Sequence, residues 1–234
     1  VRSADVEVEI RTVKTTGDRD GRSFGAIGGK GLFVAEVELE VAEERADIAV
    51  HSAKDLTAEL VPECAIVCIP ARAAVEDVVV GGRGDTGAER LASLRAGAPV
   101  GTSSMRRRSL LAAARPDVDV VDLRGNLDTR LQKVRTGVVD AAVLAAAGID
   151  RLGATAEARP ARLDPAYWVP APAQGALAVE ARADRDDLVE LLGPLTDTSA
   201  WAEVMCERSF AARLEGGCSV PLGCCARAQD SSLV

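Results

Sequence analysis

An α/β fold of two lobes is what the sequence predicts, on three observations. Strand-like apolar segments alternate with amphipathic ones at connections of a few residues, the pattern of sheets covered by helices. Apolar residues make up 47% of the 234-residue chain and aromatic residues only 3%, so the core is built from Ala, Val and Leu. Late in the chain VPAPAQG, residues 169–175, interrupts the alternation with two prolines that impose an extended path and return the chain to an earlier lobe.

Taken in order, Val6 to Val13 alternates like a strand, and TTGDRDGRSFGAIGG reads as a long loop. Lys30 to Arg45 is expected as a helix, with Phe33, Val37 and Val41 on one face and Glu36, Glu40, Glu43 and Glu44 elsewhere. Asp47 to His51 is a short strand. Ser52 to Leu56 is then the loop at its carboxyl end, where open α/β sheets place ligand contacts. Cys64 to Ile69 and Val78 to Val80 are apolar strands separated by a crossing between lobes. A helix over Thr86 to Ala96, a strand end at Pro99 to Gly101 and a helix over Ser103 to Ala114, stopped by Pro116, follow. The unit repeats as strand Val118 to Leu123, helix Leu127 to Thr136 closed by Gly137, and strand Asp140 to Ala145. Ala176 to Ala181 is a strand in the first lobe, and Ser199 to Leu214 is a helix leading to EGGC. A chain that leaves one lobe, builds a second and crosses back has its natural ligand site in the cleft between them.

Bulk properties exclude several classes. No apolar run reaches the roughly 18 residues needed to span a bilayer, and VRSADVEVEIR carries no secretory signal, so a soluble cytoplasmic protein without membrane partners is expected. Six cysteines, at 64, 68, 206, 218, 224 and 225, form no regular framework, and with one histidine neither a disulfide scaffold nor a metal site is expected. A formal charge of −8 argues against nucleic acid. Residues 106–135 nevertheless hold eight Lys/Arg against four Asp, a local basic stretch suited to small anions.

That stretch contains the most suggestive motifs. GTSSMRRR, residues 101–108, puts Thr102, Ser103 and Ser104 at a strand-to-helix junction whose N–H groups favour an anion, with Arg106 and Arg107 as carboxylate forks. Alone, the motif is better accounted for by a capped helix with solvated arginines. LRGNLDTR repeats the arrangement with Arg124 and Arg130, and AGIDRLG supplies Arg151 after the next strand, so a polyanionic ligand is expected. HSAKD, residues 51–55, offers Lys54 to neutralise an acid and Asp55 to stabilise a developing cation, or else a core histidine beside a surface pair. GGKGLF, residues 28–33, lacks the spacing of a nucleotide loop. Cys218 follows two glycines at a turn that exposes its sulfur, a weak nucleophile signal alone.

Together GGKGLF, AVHSAKD, GTSSMRRR, LRGNLDTR, AGIDRLG, PAPAQGA and ERSFAARLEGGCSVPLG resemble, in order and spacing, the hydroxymethylbilane synthase (porphobilinogen deaminase) family. The resemblance implies two lobes like type II periplasmic binding proteins, with mixed sheets and two hinge crossings, plus a third α+β domain. On this chain it places domain 1 at 1–70 and 175–195, domain 2 at 75–168, and the start of domain 3 at 198–234. It implies a transferase of porphyrin and heme biosynthesis that condenses four porphobilinogen molecules, with loss of ammonia, on a dipyrromethane cofactor joined to Cys218 by a thioether. Water then releases linear hydroxymethylbilane.

Carried over by position, Asp55 is the catalytic carboxylate. Lys54, Thr102, Ser103, Ser104, Arg106, Arg107, Arg124, Arg130 and Arg151 match contacts to acetate and propionate groups. Lys30 falls in an active-site loop, Phe33 near the growing chain and Gln174 beside the cleft, and the resemblance implies a monomer. Ala26 and RAAVED depart from the family pattern. A strand before Val1 and a longer third domain are expected, with weak or no activity for these 234 residues alone. A non-catalytic two-lobed binder of small carboxylates is the alternative, and a redox protein using Cys224 and Cys225 a weaker one, since adjacent cysteines lack the spacing of common redox sites.

Overall fold

A computed structural model describes residues 6–13, 34–57, 59–214, 220–230 and 232–234. It divides into two compact units, one made of residues up to 72 with 176–217 and 227–234, the other of 73–175 with 218–226.

The first unit carries helix α1 (Ala35–Ala42) and strands β1 (Ile48–Ser52), β2 (Cys64–Cys68) and β8 (Leu177–Arg182). Helix α7 (Asp186–Leu192) and the long helix α8 (Thr198–Arg213) follow. Its described sheet runs β1-β8-β2, with β8 antiparallel to both neighbours. Val67, Cys68, Val179, Ala181 and Leu188 fill one core cluster and Val41, Ala49 and Cys64 another. Asp197 caps α8 by accepting from the Ala200 N–H at 2.8 Å. Arg72 grips the same helix, donating both Nη atoms to Glu207 at 2.9 and 2.8 Å and Nη1 to Glu203 at 3.1 Å. Helix α8, expected to open a third domain, groups with this unit.

In the second unit the sheet order is β5-β4-β6-β3-β7. Its strands are β3 (Asp77–Gly81), β4 (Pro99–Gly101), β5 (Asp119–Val121), β6 (Ala141–Ala145) and β7 (Ala161–Arg162). Pairs β4–β5 and β4–β6 are parallel, β3–β6 and β3–β7 antiparallel, so the sheet is mixed. The helices are α2 (Gly87–Ala92), α3 (Met105–Ala114), α4 (Leu127–Arg135), α5 (Ala146–Arg151) and α6 (Thr155–Ala158). Val79, Val100, Ala141 and Val143 pack on one face with Leu91, Leu111, Leu163 and Trp168. Val78, Val80, Ala142 and Leu144 pack on the other with Leu123, Leu131 and Ile149. Burial on both faces is why DVVVG and AAVLA read as continuous apolar runs. Thr86 and Glu89 form a reciprocal capping box that starts α2.

One expectation changes. Val6 to Val13 forms no strand, and its Val6, Val8 and Ile10 are exposed. Alternation favours a strand only where a neighbour completes the hydrogen-bond ladder, and among the described residues no strand pairs with it. In α1 Val37 and Val41 pack on the core as their spacing predicts, and Glu38 is buried beside them, so a carboxylate also faces inward. Among the described residues no helix is long and apolar enough to cross a membrane.

Gly175 sits where the chain enters β8, at φ +88, and a Cβ there would lie 2.5 Å from the Ala73 carbonyl oxygen and 2.7 Å from that of Ala74. The close approach lets the Ala73 N–H donate to the Gly175 carbonyl at 3.1 Å. Gly175→Ala is therefore expected to destabilise by about 1–3 kcal/mol, from the left-handed backbone and the backbone clash together, read as a lower urea midpoint.

Candidate functional site

Because β5 and β6 both run parallel to β4, the carboxyl ends of all three share one edge of the sheet. The three arginine motifs begin at those ends. After β4, the Thr102 N–H donates to the Val121 carbonyl at 3.0 Å and Ser103 Oγ to the Leu123 carbonyl at 2.8 Å, tying this loop to the one after β5. Ser104 caps α3, accepting from the Arg107 N–H at 3.4 Å, and Thr102 Oγ1 accepts from the Ser104 N–H at 3.2 Å. After β5, Arg124 Nε donates to Asp122 at 2.6 Å, Asn126 caps α4, and Arg130 Nε donates to the Gly125 carbonyl at 2.8 Å. After β6, α5 ends in Arg151, whose Nη2 donates to the Gly175 carbonyl at 2.6 Å. Arg124 and Arg130 are half-buried and Arg151 exposed, so water or a ligand reaches them.

Arg106 and Arg107 differ. The first turn of α3 points them into the core, where they are 5% and 7% exposed. Arg106 Nη2 donates to Asp77 Oδ2 at 2.8 Å and Arg107 Nη2 to Asp77 Oδ1 at 2.7 Å. Their Nη1 atoms donate to the carbonyls of Val169 at 2.7 Å and Val143 at 3.1 Å. Asp77, fully buried, also accepts from Trp168 Nε1 at 3.0 Å and Gln174 Nε2 at 2.8 Å. Gln174 in turn donates to the Val75 carbonyl at 2.7 Å. Both guanidinium groups, expected to reach for a ligand, meet a carboxylate of the same unit here, and Gln174 adds a further donor to it.

Burial alone would raise the Asp77 carboxyl, but Arg107 and Arg106, with hydrogen bonds from Arg107 and Gln174, outweigh it and hold the group well below the usual carboxylate range. Asp77 was not singled out from sequence. Its signal was an acid opening an apolar strand, EDVVV, in a chain with two adjacent arginines in reach.

In the first unit, Lys54 and Asp55 lie in a 3₁₀ turn, Ala53–Asp55, directly after β1. Asp55 is exposed, Lys54 half-buried. The turn is held at both ends: the Ala53 N–H donates to the Ala176 carbonyl at 3.0 Å, and Arg208 Nη2 to the Thr57 carbonyl at 2.9 Å. His51 is buried with Nε2 at 2.8 Å from Glu180 Oε2. Around this pair lie Glu38, raised by burial and then by Glu180, and Cys64, pushed up to about 12 by burial and then by Glu180. Burial lowers Arg208, against the pull of Glu180 and Glu38. Lys30, Phe33 and Cys218 lie outside the described residues, and among those described no cluster of His, Cys, Asp or Glu could hold a metal ion.

Residues 1–190 match the family model "Porphobilinogen deaminase, dipyromethane cofactor binding domain", and residues 201–234 match "Porphobilinogen deaminase, C-terminal domain". A protein of Roseiflexus castenholzii named porphobilinogen deaminase is 47% identical over 228 residues, 97% of this chain and 74% of that protein. Its namesake in Nitratidesulfovibrio vulgaris is 47% identical over 218 residues, 93% of this chain and 67% of the relative. The one in Sorangium cellulosum is 46% identical over 219, covering 93% and 71%.

Asp77→Asn leaves two buried guanidinium groups without their counter-ion, and a loss of about 3–5 kcal/mol is expected in urea unfolding at pH 7. The folded-state pKa of Asp77 is depressed, so its contribution is complete above the unfolded carboxyl value near 4 and is lost as pH falls below it. The urea midpoint of the parent should drop between pH 5 and pH 3 by more than that of Asp77→Asn.

Proposed function

Since the chain belongs to the porphobilinogen deaminase family, we infer that it is a transferase, a hydroxymethylbilane synthase that joins four porphobilinogen molecules with loss of ammonia and releases the linear tetrapyrrole. The work belongs to porphyrin and heme biosynthesis, and the cofactor is a dipyrromethane. The observation that carries the residue roles is the shared sheet edge from which Arg124, Arg130 and Arg151 project.

The donor set suits such a group. Each pyrrole of the substrate brings two carboxylates, and guanidinium groups at one edge match them with charge-assisted, bidentate hydrogen bonds of about 1.5–3 kcal/mol each where shielded. Arg124, Arg130, Arg151 and Lys54 are assigned to these carboxylates. The hydroxyls of Thr102, Ser103 and Ser104 shape the loop after β4, and Arg106, Arg107 and Gln174 act beneath it by fixing the start of α3 on Asp77. When bound through a thioether at Cys218, the dipyrromethane supplies the primer on which pyrroles are added.

Asp55 is assigned the catalytic role. An exposed carboxylate on a turn held at both ends accepts hydrogen bonds from pyrrole N–H groups and stabilises the positive charge that develops as ammonia departs. A neutral amide of the same size retains the shape and loses the field. Lys30 and Phe33 are assigned to substrate handling on family grounds. Action as a cytoplasmic monomer without nucleic-acid partners is part of the same proposal; the net charge of −8 supports the absence of nucleic acid. The non-catalytic binding module is the weaker reading, because both family models and the named relatives belong to the enzyme.

The deciding experiment is an intact mass spectrum of the full-length product incubated with porphobilinogen. Mass increments of pyrrole units, absent in Cys218→Ala, are expected; an unmodified mass overturns the assignment. Asp55→Asn should retain the increment on Cys218 when preloaded and lose most turnover, at least about 100-fold if one preorganised charge is removed. Arg124→Leu should leave the unfolding free energy within about 0.5 kcal/mol of the parent while weakening porphobilinogen binding, whereas Arg106→Leu should lower it.

A further inference from the structure

The pair formed by His51 and Glu180 has no role in the chemistry assigned so far, yet it lies at the root of the turn that carries Asp55. In the β1–β8 ladder Ala49 faces Glu180 and His51 faces Ala178, so His51 and Glu180 are diagonal neighbours on one face of the sheet. Glu180 is 0% exposed and His51 is buried, with their polar atoms 2.8 Å apart. On the same side lie Glu38 of α1, Cys64 of β2 and Arg208 of α8, so the group is faced by the third strand of its own sheet and by two helices.

A buried carboxylate and imidazole in contact cost several kcal/mol to desolvate, and an apolar pair would fill the same space at least as stably. What the polar pair supplies instead is a fixed direction: a hydrogen bond holds the ring in one orientation, whereas apolar contacts leave alternative rotamers. The direction matters here because His51 is one residue before the end of β1, and Ser52, opposite Leu177, is the last rung before the turn. One residue later the Ala53 N–H reaches the Ala176 carbonyl, and Asp55 follows two residues on. Arg208, which faces Glu180 and Glu38, also donates to the Thr57 carbonyl. The buried group therefore holds the chain immediately before the turn through His51 and immediately after it through Arg208.

We propose that Glu180 and His51 are positioning residues that fix the 53–55 turn and thereby the carboxylate of Asp55. The inference rests on the role given to Asp55 above; neither residue touches substrate. A buried pair that serves stability alone would loosen the whole β1–β8 ladder when broken, whereas a positioning pair loosens the turn first.

Hydrogen exchange of this chain separates the two. In Glu180→Gln, amide exchange at residues 53–57 should rise about tenfold or more relative to the parent, while Ile48, Ala49 and Val50 stay protected; His51→Gln should do the same, and the double variant no more than either single one. Exchange that rises evenly along β1 and β8, or stays unchanged at 53–57, overturns the proposal. A second arm uses the full-length product: Glu180→Gln should lower kcat about tenfold with KM within twofold, and Glu180→Asp should recover part of the loss. Unchanged kcat in Glu180→Gln also overturns it. Should the parent itself fail to turn over porphobilinogen, the functional reading fails, and the exchange result alone decides whether the pair positions the turn.

Discussion

A carboxylate withdrawn from water has to be surrounded by donors, and in the second unit that requirement organises everything near the parallel strand ends. Asp77 opens β3 at zero exposure and receives two guanidinium groups, an indole N–H and an amide N–H. The guanidinium groups come from the first turn of α3, the indole and amide from the returning chain at Trp168 and Gln174. One ion therefore fixes a helix, a strand and a connecting segment against one another. Such a triad adds little net stability over a well-packed apolar equivalent, but it admits few alternative arrangements of α3, and the hydroxyl-rich loop that α3 begins inherits that definition.

Arginines in this unit consequently do two kinds of work. Arg106 and Arg107 face inward and share the single carboxylate of Asp77, while Arg124, Arg130 and Arg151 remain accessible at the sheet edge. An electropositive edge on a protein of net charge −8 follows from placement rather than composition, because parallel β4, β5 and β6 deliver three successive loops to the same side. The first unit carries Asp55, an exposed carboxylate on a short turn held at both ends. Several dispersed cations for a ligand rich in acids, and one placed anion for a transient cation, are what condensation of carboxylated pyrroles requires.

The order of the elements and most of their bounds could be read from periodicity, capping residues and glycine or proline stops. Thr86, Ser104 and Asn126 begin helices as their types suggest, and the doubly buried β3 and β6 are the apolar runs expected. Pattern misled where pairing decides. Val6 to Val13 alternates, yet no described strand lies beside it, and α1 turns Glu38 inward, where burial and Glu180 raise its carboxyl. The positions of Lys54, Asp55, Arg124, Arg130 and Arg151 after strands were legible, since each lies in the turn after its strand or in the helix that follows.

What the amino-acid order alone determined is local: which segments form strands and helices, which residues cap them, and that arginines recur after successive strands, along with the family the motifs share. Tertiary structure decided which charges meet. Whether an arginine serves a ligand or an internal acid depends on a carboxylate 29 or 30 residues away in sequence, as with Asp77, and Glu180 finds His51 across 129 residues. Spacing along a chain carries no information about such pairs, because the sheet register that brings them together is set by packing over the whole unit.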